Sequence, residues 1–219
     1  MDVYKTAQKL LEKFGGIALE KQHTFGEIIA ENNWNIDMET GMISFGDNLV
    51  FPFQILGTFS YSSESWLWVW ANVKSGIPEK LMEQALILKK YGEDDGIDLL
   101  KNSEFEANKN DLHLIGIIAS GMFNSSCYYL GNYGAGTMCV TIKSKEIDKS
   151  FENNHLKIFT VFPQLISLFE MNHRNSFINY LKEKDYKIEI KEKEIIGIRN
   201  GNKAMATFDE LNRLKKLNG

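Results

Sequence analysis

The stretch Ser65-Trp66-Leu67-Trp68-Val69-Trp70-Ala71-Asn72 places three of the four tryptophans two residues apart. Two is the period of a β-strand, so the spacing predicts a strand with all three indoles on one face and Leu67, Val69 and Ala71 on the other. A strand apolar on both faces belongs in the middle of a sheet that is covered on both sides. The indoles then form core between sheet and helices. The alternative is that they line a pocket, since an indole offers a broad flat surface and a polar N–H. Asn72, where the strand leaves the sheet, either binds a ligand or caps the approach to the next helix through its backbone bonds.

The segments around this strand predict an α+β fold. Val3, Ala7, Leu10, Leu11, Phe14 and Ile17 recur at helical spacing, with Gly15-Gly16 as a candidate kink and Phe25, Ile28 and Ile29 continuing the stripe. Short strands follow at Met42–Phe45 and Phe51–Tyr61, and the turn Ser62–Glu64 returns the chain into the tryptophan strand. A helix starts at Pro78, Tyr91–Asn110 reads as a polar, acidic loop with a short helical turn, and Leu112–Phe123 reads as a mostly buried helix. A hairpin comes next, Ser126–Leu130 and Gly136–Lys143, turning through Gly131-Asn132-Tyr133-Gly134. After a charged connector at Lys145–Asn154, one long helix runs from Pro163 with His173, Phe177 and Tyr180 on its stripe. Strands at Lys187–Ile190, Ile195–Arg199 and Asn202–Ala206 follow, the last two joined by the hairpin dipeptide Asn200-Gly201. Thr207-Phe208-Asp209-Glu210 has the pattern of a capping box opening a C-terminal helix to about Leu217. This order predicts an antiparallel sheet with helices packed on it. It gives a main α+β domain over 1–184 and a C-terminal hairpin-and-helix appendage over 185–219 packed on it.

Composition excludes several functions. A net charge of −4 gives no support to a nucleic-acid partner. The longest apolar run, Leu112–Phe123, spans 12 residues, too short for a membrane span. Met1–Lys5 lacks a basic segment leading into an apolar core, so no secretory leader is expected and the location is read as cytoplasmic. Cys127 and Cys139 then read as buried free thiols. None of His23, His113, His155 and His173 stands four residues from another, and no Cys or His pair has zinc-ligand spacing, so no metal site and no cofactor is expected. Ser120 in Ala119-Ser120-Gly121 lacks the setting of a nucleophile elbow. Gly131, Gly134 and Gly136 lead into a strand and not a helix, so they cannot cradle a phosphate; hairpin glycines explain them. The acidic run Glu93-Asp94-Asp95 with Asp98 reads as solvated surface.

Four segments together resemble one family. They are Gln54-Ile55-Leu56-Gly57-Thr58-Phe59, the Trp66–Asn72 string, Ala119-Ser120-Gly121, and Tyr128-Tyr129-x-Gly131-x-Tyr133-Gly134-x-Gly136. The chain is similar over about Val3 to Lys143 to bacterial domain-of-unknown-function family 6882. The resemblance implies a shared fold and carries no activity, ligand or catalytic residue. The residues themselves predict a non-enzymatic binding or protein-interaction module, since aromatics are abundant and no catalytic constellation accompanies them. The alternative is a small-molecule binder or enzyme with an aromatic pocket between the tryptophan strand and the tyrosine hairpin. There Trp68, Trp70, Asn72, Tyr128 and Tyr129 would converge. Either way the partner is a protein or a small ligand, not nucleic acid or membrane.

Overall fold

A computed structural model describes residues 7–219; Val3 and the Met1–Lys5 leader reading lie outside them. The architecture is α+β, with every strand pair antiparallel. The chain groups into two compact units, Lys21–Phe151 with Ala7, and Gln8–Glu20 with Glu152–Gly219. Helix α1 (Ala7–Ile29) supplies residues to both. Among the described residues, no helix is long and apolar enough to cross a membrane.

The first unit contains β1 (Trp34–Asp37), β2 (Met42–Phe45), β3 (Leu49–Ser60), β4 (Ser65–Trp68), α2 (Glu83–Asp95), α3 (Asp98–Lys101) and β5 (Glu104–Glu106). It continues through α4 (Lys109–Met122), β6 (Cys127–Asn132), β7 (Gly136–Ile142) and α5 (Lys145–Ser150). Strand β3 organises the sheet. β2 pairs with its residues 49–52, β4 with residues 57–60, and β7 runs along Phe53–Ser60. Phe53 N–H donates to Gly41 O (3.2 Å) while Phe53 also pairs with Ile142, so β2 lies on the edge opposite β7. That is the edge β4 uses, and between the two short strands no strand pairs with residues 54–56. A bulge falls at the same point, between Ile55 and Gly57. It reverses which face successive side chains take. Ile55, Thr58, Met138 and Val140 therefore share one face, and Gly57, Phe59, Trp66, Trp68 and Cys139 the other.

The tryptophan strand is shorter than its pattern suggests. Beyond Trp68 the chain enters a single 3-10 turn, Val69–Ala71. The reason is a shortage of partners. β5 offers only Glu104–Glu106, and Trp68 N–H already spends its bond on Ser103 O (3.0 Å). Past that point the backbone satisfies itself locally, Asn72 N–H donating to Val69 O (3.1 Å). Trp70 thus leaves the ladder, and Leu67 is half-buried, so the strand is not covered on both faces. In Tyr91–Asn110 the expected short helical turn is α3, and the segment also holds the end of α2 and the strand β5. Helix α4 is capped by a reciprocal pair, Asn108 and Asp111.

The second unit adds α6 (Ile158–Leu168), α7 (His173–Glu183) and four strands, β8 (Lys187–Ile190), β9 (Glu194–Arg199), β10 (Asn202–Phe208) and β11 (Leu214–Asn218), in the order β11-β10-β9-β8. The long helix from Pro163 is two helices. Pro163 lies inside α6, and α7 restarts where the Asn172 side chain accepts from Asn175 N–H (2.9 Å) and Glu12 accepts from Asn172 N–H (3.0 Å). Gly15-Gly16 do not interrupt α1. A Cβ on Gly16 would lie 2.4 Å from Tyr180 Cγ, so the glycine is there for close packing. The C-terminal helix is replaced by β11. Thr207 pairs with Lys216, and the Asp209 carboxylate accepts from Leu211 N–H (2.9 Å) and Arg213 N–H (2.8 Å), which turns the chain back instead of opening a helix. Lys184 Nζ lies 2.6 and 2.7 Å from the two Glu20 carboxylate oxygens, both side chains fully buried, and Tyr180 donates to the same carboxylate.

Candidate functional site

The five aromatic and amide residues expected to converge do not. Trp66 and Trp68 are fully buried and meet edge to face, with centroids 5.4 Å apart and planes at 88°. Trp68 Nε1–H donates to Leu99 O of α3 (3.1 Å), so these indoles are the scaffold beneath the helices. Gly57 makes room for Trp66. A Cβ there would come within 2.5 Å of Leu67 O and of Trp66 Cζ2. Trp70 is half-buried, with Lys89 Nζ 4.6 Å from its ring centroid.

The tyrosine pair splits across the sheet, since Tyr128 pairs with Thr141 and Tyr129 with Val140. Tyr128 is buried against Gly116, and its hydroxyl is 2.9 Å from His113 Nδ1. Burial pushes the Tyr128 phenol up and the His113 imidazole down, which keeps both neutral. Tyr129 meets Phe45 edge-on at 4.9 Å and Trp34 at 5.9 Å. Neither ring is offered to a common cavity.

Of the five, Asn72 lines a cleft of about 360 Å³ that none of the other four lines. Its floor is β3 at the bulge (Ile55, Gly57, Thr58) with Met138 of β7 beside it. One wall is the chain after β4, from Val69 and Asn72 to the segment Ser75–Pro78. Met38, in the turn after β1, and Tyr133, in the β6–β7 turn, complete the rim. The cleft therefore sits where the sheet edge is unpaired, and short β2 and short β4 create it. Asn72 does bond through its backbone, as a turn residue should, but its side chain caps nothing. Among the described residues, the Asn72 amide and the hydroxyls of Thr58, Ser75 and Tyr133 make no hydrogen bond within the chain. The lining contains no carboxylate, imidazole, thiol or amine. It can hold a ligand by apolar contact and neutral hydrogen bonds, and it contains no acid–base pair.

Other candidates resolve as structure. Ser120 is buried and donates to Ile117 O (3.1 Å). Cys127 and Cys139 are buried, free and not cross-strand partners, and burial raises both thiols well above their usual range. Glu93, Asp94 and Asp98 pair with Lys89, Lys90 and Lys101. Among the described residues, no group of three His, Cys, Asp or Glu side chains is placed to hold a metal. Sequence reasoning missed Met38, Thr58, Ser75–Pro78 and Met138. One usable signal was Gly57, a glycine inside a strand pattern, which marks a bulge or a close approach.

A model of a family of unknown function, DUF6882, matches residues 8–145. That span holds every residue lining the cleft and ends before the α6–β11 segment. No curated protein and no solved structure matches the chain.

Proposed function

The chain belongs to DUF6882, a family of unknown function, and from that premise we propose that it is a non-enzymatic binding module whose cleft takes a small, uncharged, largely apolar molecule. One observation carries the reading. The cleft of about 360 Å³ pairs an apolar lining with unengaged neutral polar groups and no group able to move a proton near neutral pH. Its size falls within the range of small-ligand sites. Unsatisfied hydroxyl and amide groups in a mostly apolar cleft reward a ligand that supplies their hydrogen bonds. A charged ligand would lose its hydration there and meet no opposite charge.

The test compares three molecules of one shape and different charge: benzamide, benzoate and benzylammonium. Benzamide at millimolar concentration is expected to raise the melting temperature and to shift the amide resonances of Thr58 and Asn72, while the two ions do neither. Equal binding of either ion, or no response to any of the three, overturns the reading.

A second reading is a protein partner inserting an apolar side chain into the same cleft. Val73, 84% exposed between Asn72 and the Ser75–Pro78 wall, favours it. N-acetyl-leucine-N-methylamide would then bind more tightly than benzamide, and Val73→Asp would weaken the peptide alone.

A further inference from the structure

From the lining of this cleft we infer that its ligand is a flat, uncharged ring carrying an N–H next to a C=O, a lactam in chemical terms. The inference rests on the binding reading and narrows it to a ligand class. Asn72 carries the first half of the argument. The residue is half-buried and lines the cleft, and its side-chain amide makes no hydrogen bond among the described residues. An amide presents one donor and one acceptor side by side, and its full complement is a group presenting an acceptor and a donor in the same plane. The edge of a lactam does so: Asn72 Nδ2–H donates to the ring C=O, and Asn72 Oδ1 accepts from the ring N–H. The same bidentate match lets asparagine read a base edge.

The second half is the shape of the apolar lining. It includes two thioethers, Met38 and Met138, the phenol ring of Tyr133 (48% exposed) and the ring of Pro78. Thioether sulfur is polarizable and packs well against aromatic rings, and a phenol ring stacks on another flat ring. Gly76, whose missing side chain would meet nothing within 4 Å, leaves open space in the Ser75–Pro78 wall, so a flat body can approach closely. The absence of any cationic side chain there sets the ring apart from its phosphorylated forms, which would enter without a counter-charge.

The experiment titrates the full chain with 2-quinolinone, with 2-methoxyquinoline, which keeps the ring but lacks the N–H and C=O pair, and with cyclohexanecarboxamide, which keeps an amide on a puckered body. Wild type is expected to bind 2-quinolinone at least tenfold more tightly than either comparator. In Asn72→Ala, and in the nearly isosteric Asn72→Asp, the preference over 2-methoxyquinoline should fall to within twofold. Tyr133→Leu should weaken 2-quinolinone more than the carboxamide. The Asn72 side chain bonds nothing in the fold, so both variants should melt as wild type does. Equal affinity for 2-quinolinone and 2-methoxyquinoline, or a preference unchanged in Asn72→Ala, overturns the lactam inference and leaves the neutral-cleft reading standing. Tighter binding of cyclohexanecarboxamide overturns the flat ring alone. Failure of all three at millimolar concentration overturns both.

Discussion

Asn72 and Gly57 show how single residues set the character of the cleft. Asn72 stands in the sequence as a polar residue ending an apolar string, and it lines the cleft with a side chain that caps nothing. Gly57 sits inside a strand pattern, and its lack of a side chain lets the Trp66 indole pack against β3 on the face opposite Thr58. Its substitution gives a sharp expectation. A methyl group at Gly57 would meet Leu67 O at 2.5 Å, a backbone atom that cannot swing aside. Gly57→Ala should cost about 2–3 kcal/mol of stability and also abolish benzamide binding, which chemical denaturation and titration would check. A loss below about 0.5 kcal/mol, the scatter of neutral surface changes, would mean that β3 and β4 are not packed as described.

At the scale of elements, local sequence signals worked where local bonds decide the outcome. The Asn200-Gly201 hairpin adopts positive φ at both residues, +51° and +81°, as a two-residue turn of this type demands. The hairpin around Tyr133 and the buried helix α4 also fall close to where periodicity puts them. Signals failed where a distant partner decides. Thr207 to Glu210 satisfies the pattern of a helix start, but β10 has an open edge, and β11 fills it with two lysines and two leucines. Asp209 holds that reversal with two backbone amides and the Arg213 guanidinium (2.8 Å). Asp209→Ala should therefore lower the melting temperature and release amide protection across Leu214–Asn218. Hydrogen exchange would read this directly; unchanged protection there would show that the strand pairing alone holds β11. The tryptophan strand failed in the opposite direction, its pattern continuing past Trp68 after its partners had run out.

For the whole molecule, the histidines predict how stability responds to acid. Burial lowers the imidazoles of His113, His155 and His173, with Arg199 and Lys184 adding to the effect at His155 and Asp209 opposing it at His173. His173 Nδ1 also accepts a hydrogen bond from Leu214 N–H (3.0 Å), which a protonated ring could not do. Each folded-state value lies below the ordinary 6.5, so the unfolded chain takes up protons first as pH falls. Stability is then level above about pH 6.5, falls below it, and levels off once the folded chain is protonated too. The melting temperature should drop between pH 7.5 and 5, with a shallower slope in His173→Gln. A flat profile across that interval would contradict the assignment.

What the amino-acid sequence determined by itself was whatever depends on neighbours along the chain. That includes the α+β class, the tight turns, the buried helix, the family and the lack of a contiguous catalytic motif. Tertiary structure decided the rest. It alone shows that Glu20 and Lys184, 164 residues apart, share a buried bond, and that Tyr128 and Tyr129 face opposite sides of the sheet. It also shows that the C-terminus is a strand. The cleft is the clearest case, because it is lined by residues from Met38 to Met138 that no spacing connects. It exists because β2 and β4 are both too short to cover the same edge of β3. Strand pairing is a contest between distant segments for backbone bonds, and that contest is settled only when the whole sheet is assembled.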